Sequence, residues 1–167
     1  MGRTTNNLKE AFAGESQANR KYLVYAEKAE QDGLPNVAKL FRAAADAETV
    51  HATRHWRALG MVRDTRQNLE DALAGETYEV EQMYPPMLHQ AQVDQEISAQ
   101  HAFKGALEAE KVHMSLYGKA LAAVTSGKDI DAFQAYTCPA CGYTHTGGPI
   151  DKCPVCGAGW NRFREVA

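Results

Sequence analysis

No cysteine occurs before Cys138 in this chain of 167 residues, so no disulfide or thiolate-bound metal can hold the long N-terminal part together. Long apolar runs are missing too. Nothing approaches the ~18 residues needed to cross a bilayer, which excludes a membrane-spanning helix. The first residues, Met1-Gly2-Arg3-Thr4-Thr5-Asn6-Asn7, lack the apolar core of a secretion signal, and the expected compartment is therefore the cytoplasm. Basic runs are absent and the net charge is only −3, so neither a nucleic acid nor a membrane surface is an expected partner. What remains is globular in kind: 44% hydrophobic and 23% charged residues can build a packed core. The length suits one ordinary domain with a small appendage.

Ala, Leu, Glu, Lys and Gln dominate residues 7–124, and all are good helix formers. The breaks are legible. Asp32-Gly33-Leu34-Pro35 ends one helix and starts another, with Pro35 at a first-turn position. Gly60 closes the second helix, and the stretch from Asp64 to Gln67 leads into a third. The pattern predicts helices near 6–32, 35–59, 68–93 and 95–124, with a kink where Pro85-Pro86 interrupts the third just past Glu79. This reading assigns 1–127 to a helical domain, 128–134 to a linker and 135–167 to a second domain. The second is Gly- and Pro-rich and too small for a core of its own, so it needs a metal or disulfides.

The helical region is duplicated. Leu8-Lys9-Glu10-Ala11-Phe12-Ala13-Gly14-Glu15-Ser16 aligns with Leu69-Glu70-Asp71-Ala72-Leu73-Ala74-Gly75-Glu76-Thr77, at an offset of 61 residues. Ala47-Glu48-Thr49-Val50-His51 aligns with Ala109-Glu110-Lys111-Val112-His113, at an offset of 62. Two such helix pairs make a four-helix bundle with approximate two-fold symmetry and two equivalent central positions.

Each half contributes one Glu from its first helix and a Glu-x-x-His from its second. Residues three apart share a helix face, so Glu48 points with His51 and Glu110 with His113. Carboxylate with imidazole suits iron, manganese or zinc, and this arrangement is the ligand set of dimetal carboxylate bundles. Single glutamates on helices are usually solvated. Four acids and two histidines at repeat-related positions on Ala- and Leu-rich faces are another matter, because burying them without a cation is very costly. The repeat fails at one place: Glu79 follows Glu76 by three residues, where the first half has Ala18. A fifth carboxylate on one side offers one metal an alternative ligand. Tyr22 and Tyr84 are either hydrogen-bond donors to the ligands or aromatic packing. His55 is read as an outer or solvated group, and His89, His101 and His145 carry no supporting pattern.

The four cysteines form two knuckles, Cys138-Pro139-Ala140-Cys141-Gly142 and Cys153-Pro154-Val155-Cys156-Gly157. In a reducing compartment this spacing reads as a metal site rather than disulfides. On spacing alone, zinc and iron both fit an all-sulfur tetrahedral site.

These stretches, together with Glu81-Gln82-Met83-Tyr84-Pro85, closely resemble the rubrerythrin family over essentially the whole chain. The resemblance implies an all-α fold class: a ferritin-like four-helix bundle with a small C-terminal rubredoxin-like domain. It implies that Glu15, Glu48, Glu76, Glu79, Glu110 and His113 bind two irons in the oxidised state, and that His51 replaces Glu79 on one of them on reduction. It moves the Cys138, Cys141, Cys153, Cys156 site towards iron, with zinc as a substitute. The implied activity is reduction of hydrogen peroxide, with Glu79, His51, Tyr22 and Tyr84 at the reacting centre. No dinucleotide-binding glycine motif is present, so an external reductase fed by NAD(P)H is the expected donor. An iron-handling ferroxidase is the alternative, and zinc-filled structural sites are a third reading.

Family members run their second and third helices in parallel, so the connector must recross the bundle. From 48 to 59 and from 68 to 76 the helices rise ~28 Å in all, and residues 60–67 reach at most about 28 Å. That margin predicts a homodimer in which helices 1–2 of one chain pack with helices 3–4 of the other.

Overall fold

The computed structural model describes residues 2–166, in two compact units, one ending at Arg63 and the other starting at Asp64. Met1 and Ala167, which the sequence reading placed in the leading segment and the last domain, lie outside the described residues.

The first unit is a helical hairpin, α1 (Arg3–Gln31) and α2 (Pro35–Ala58). Gly33 at φ +75° lets the Leu34 N–H reach back to the Ala29 carbonyl at 2.8 Å, and Pro35 sits in the first turn of α2. The contact between the helices is made by small side chains: Ala26, Ala29 and Ala38 are buried, with Phe41 packed against them. Small residues bring the two backbones close, so functional side chains of α1 and α2 can meet across the seam. Asn19 is the buried polar group of this seam. Its amide donates to the Ala45 carbonyl at 2.7 Å and to Thr49 Oγ1 at 2.8 Å, which locks the register of α1 on α2.

In the second unit, α3 (Thr65–Tyr78) and α4 (Tyr84–Val93) both pack on α5 (Ile97–Thr125). Asp64 caps α3 by accepting from the Gln67 N–H at 2.8 Å. The third helix therefore starts at 65 rather than near 68, because the cap residue adds a turn that composition did not reveal. α3 and α4 are joined by a π-helical turn, Glu79–Met83. This corrects the expected proline kink. Pro85 and Pro86 occupy the first turn of α4, where a missing N–H is tolerated, and the irregularity begins before them at Glu79.

The turn from α4 to α5 repeats the α1–α2 turn. Gln95 takes φ +58° where Gly33 stands in the first half, and the Glu96 N–H reaches the Ala91 carbonyl at 3.0 Å. The repeat offset is thus 61 at Glu76 and already 62 at Gln95, which locates the extra residue between them. A π turn absorbs one extra residue without ending the helix.

The C-terminal strands β1 (Ala135–Thr137), β2 (Thr144–Thr146) and β3 (Arg164–Val166) form an antiparallel sheet in the order β2-β1-β3, with Thr137 opposite Thr144. Tyr136 and Phe163 pack on Trp160, at ring separations of 4.5 and 4.9 Å. Its buried side chains are Cys138 and Cys153. The sheet rests on α5 through β2. Gly105 of α5 permits this approach, since a methyl group there would lie 3.3 Å from the Cys141 Cβ. No helix among the described residues is long and apolar enough to cross a membrane.

Candidate metal centres

In the first unit, ligand atoms of Glu15, Glu48 and His51 lie within 4.8 Å of one another. His51 Nδ1 is 2.8 Å from Glu48 Oε2, one helical turn away on α2, while Glu15 comes from α1. The Glu48 carboxyl is held below its ordinary range, first by the hydrogen bond from His51 and then by that with Glu15. Asn19, one turn beyond Glu15, fixes this geometry and was not singled out from sequence. Beside the trio runs a groove of about 500 Å³ lined by Phe12, Asn19, Arg20, Glu48 and Trp56.

The second unit repeats the trio with Glu76, Glu110 and His113, again within 4.8 Å. His113 Nδ1 lies 2.6 Å from Glu110 Oε2 and 3.8 Å from Glu76 Oε2. The Glu76 carboxyl is pushed up to about 7, by burial first and then by its hydrogen bond with Glu110. Glu79 stands on the π turn, outside the trio. Burial and the Glu110 charge raise its carboxyl, and His113 partly offsets them. Tyr84 follows the π turn and packs near Phe103. Burial and then the Glu79 charge raise its phenol, so it keeps its proton at neutral pH. Tyr22 sits among Tyr25 and Phe41, in aromatic packing.

Crowded carboxylates of this kind need a compensating charge, and a divalent or trivalent cation fits the oxygen and nitrogen donors present. The groups are half-buried rather than enclosed. Glu48, Glu76 and Glu110 side chains are 18–19% exposed, and His51 is 52% exposed. His55 is half-buried, and His89 and His101 are exposed. His145 pairs with the Gly148 carbonyl at 2.8 Å.

The four cysteines converge as the two knuckles require, all within 4.8 Å. Cys138 and Cys156 Sγ are 3.6 Å apart, as are those of Cys141 and Cys153. These are not disulfide distances. A tetrahedral metal with ~2.3 Å bonds to sulfur spaces its ligands at about 3.8 Å. Gly142 and Gly157, at φ +81° and +75°, turn the following N–H groups of Tyr143 and Ala158 towards Cys141 and Cys156. Burial raises the Cys138 thiol, but hydrogen bonds from the N–H groups of Ala140 and Cys141, with those of the Cys156 and Cys141 side chains, together leave it lowered. Burial raises Cys141 and Cys156, a penalty that a bound cation removes.

A family model described as rubrerythrin matches residues 6–121, which is most of the chain, and one for the rubrerythrin rubredoxin-like domain matches 136–164. The chain belongs to the rubrerythrin family. Rubrerythrin-2 of Clostridium acetobutylicum is 37% identical, over 96% of this chain and 95% of that protein. Nigerythrin of Nitratidesulfovibrio vulgaris is 34% identical, over 93% and 83%. A solved mixed-valence state of nigerythrin matches with a TM-score of 0.57 and 32% identity, over 99% of this chain and 88% of that one. The fold class is accordingly all-α and ferritin-like, followed by a rubredoxin-like domain, as the sequence implied. A rubrerythrin of this composition is an iron-binding oxidoreductase with diiron-type and four-cysteine sites.

Proposed function

We propose that this rubrerythrin reduces hydrogen peroxide to water, in defence against oxidative stress, at two irons held by Glu15, Glu48, His51, Glu76, Glu79, Glu110 and His113. Electrons reach them from a third iron at Cys138, Cys141, Cys153 and Cys156. The observation that carries this reading is the pairing, in one chain, of two repeat-related carboxylate–imidazole trios with a four-thiolate site. Bound iron supplies Lewis acidity and the two electrons which, with two protons, convert one peroxide into two waters. Zinc fits the thiolate site equally well but carries no electron.

The protein's own groups supply protons and ligand choice. Without a cation, burial and Glu110 raise Glu76 to about 7, and a bound metal would remove that penalty and hold it as the carboxylate. Tyr84 remains a phenol donor beside Glu79. Glu79 and His51 serve as alternative ligands: the hard carboxylate suits ferric iron and the imidazole ferrous iron. Glu79 stands on a π turn, and within the chain the outer nitrogen of His51 has no anchor among the described residues. The electron donor is an external NAD(P)H-fed reductase, and a cytoplasmic location suits cysteines committed to metal.

The assembly is a homodimer with exchanged helix pairs. For Glu48 and Glu76 to stand level on parallel helices, the connector must return past about 31 Å of helix. Residues 59–64, which separate α2 from α3, reach at most about 22 Å. Val24, Leu40, Val50 and Val62 are each more than half exposed, an apolar surface that such an exchange would cover.

The test is stopped-flow oxidation of the fully reduced protein by hydrogen peroxide, followed at the thiolate–iron absorption. Rapid oxidation is expected, slowed at least about tenfold in Glu79→Ala. Oxidation no faster than that of an isolated four-cysteine iron would sink the peroxidase reading. Sedimentation of the iron-loaded protein tests the assembly, and an iron-bound monomer would rule out the exchange.

A further inference from the structure

The two histidines are equivalent in the repeat but not in their surroundings. Both turn Nδ1 towards the Glu three residues earlier, at 2.8 Å for His51 and 2.6 Å for His113. Their outer nitrogens differ. His113 Nε2 lies 2.8 Å from the Thr144 hydroxyl, on strand β2 of the four-cysteine domain. Among the described residues, His51 Nε2 has no such partner, and its side chain is 52% exposed against 28% for His113.

We propose that Thr144 is a positioning residue: its hydroxyl hydrogen-bonds Nε2 of His113, accepting from Nε2–H when Nδ1 holds a metal, and keeps the ring with Nδ1 facing Glu110 and Glu76. The four-cysteine domain thereby anchors one histidine and gives its repeat partner, within the chain, no such anchor. This rests on the metal-binding reading of the trios given above.

Three observations carry it. A metal-ligating imidazole needs its second nitrogen anchored to fix tautomer and ring direction, and loss of such an anchor typically costs 10–100-fold in metal affinity. Thr144 is itself held in place, since it pairs with Thr137 across the sheet and the strand bearing it rests on α5. The close approach that makes the bond possible is built in as well, because Gly105 leaves room for Cys141 against the same helix. The hydroxyl also continues a covalent and hydrogen-bonded path. The Cys138 N–H donates to the Tyr143 carbonyl at 2.9 Å, Thr144 follows Tyr143 in the chain, and its Oγ1 meets His113. Cys138 is thus joined to His113 through two hydrogen bonds within one chain.

The test uses the full chain with Thr144→Val, which removes the hydroxyl at nearly constant shape, and Thr144→Ser, which keeps it. Imidazole nitrogen NMR on protein with diamagnetic zinc in the four-cysteine site and no metal at the trios reads the His113 ring directly. The wild type and Thr144→Ser should show a single, restricted His113 ring with Nδ1 towards Glu110, and Thr144→Val a mobile ring like that of His51. Cobalt(II) titration should then weaken about tenfold at the Glu76–Glu110–His113 position in Thr144→Val, with little change in Thr144→Ser. An unchanged four-cysteine spectrum in each variant shows that the domain is still folded. A His113 ring and a cobalt affinity indifferent to Thr144→Val would overturn the proposal. Wild-type protein that binds no cobalt at either trio would instead overturn the metal-binding reading, and the NMR arm tells the two failures apart.

Discussion

Glu76 concentrates the electrostatic strain of the second trio. Burial and Glu110 raise its carboxyl to about 7, so between the ordinary carboxylate range and pH 7 the folded, metal-free protein keeps a proton that the unfolded chain has released. The native state binds more protons in that window, and stability therefore falls as pH rises through it. Metal-free protein should melt higher near pH ~5 than near pH ~8, and Glu76→Gln should shrink that difference. Calorimetry at the two pH values checks this, and an equal difference in the variant contradicts it. Asn19 carries a different prediction. Asn19→Ala removes the amide that donates to Ala45 and Thr49, and should cost about 1–3 kcal/mol in urea unfolding. The six residues that the structure gathers into two trios were legible at this scale because the duplication marks them twice. Asn19 was not, because nothing in the second half repeats it: Val80 stands at the corresponding place.

Helices and turns were read well where a local residue dictates them. Gly33, Pro35 and Gly60 each supply a backbone conformation or a missing donor that acts within a few residues. The π turn was not read, because a helix-forming composition is the same for α and π geometry. Its trace is the shift of the repeat from 61 to 62, which names an extra residue without saying how the chain accommodates it. Gln95 shows the same repeat under strain, at φ +58° where the first half has glycine. Gln95→Gly should stabilise the protein by about 1 kcal/mol, since a side chain in the left-handed region costs roughly that much. Thermal melts of the two proteins measure it, and a lower melting temperature in the variant would contradict the repeat-based argument.

For the molecule as a whole, the metals substitute for a core. The C-terminal domain buries little besides Cys138 and Cys153, so its fold is inseparable from the ion they bind. Cys138→Ser, or stripping with a strong chelator, should collapse the NMR signals of Trp160 while far-UV circular dichroism stays helical. Loss of both together would mean that the helices depend on the ribbon. The sequence by itself determined the helical composition, the duplication, the donor residues and the two knuckles, because each is written in short-range spacing. Only the tertiary structure decided that Asn19 pins α1 to α2, that Glu79 stands on a widened turn, and that β2 brings Thr144 to His113. Those depend on which side chains meet across elements distant in the chain, and spacing carries no record of such meetings.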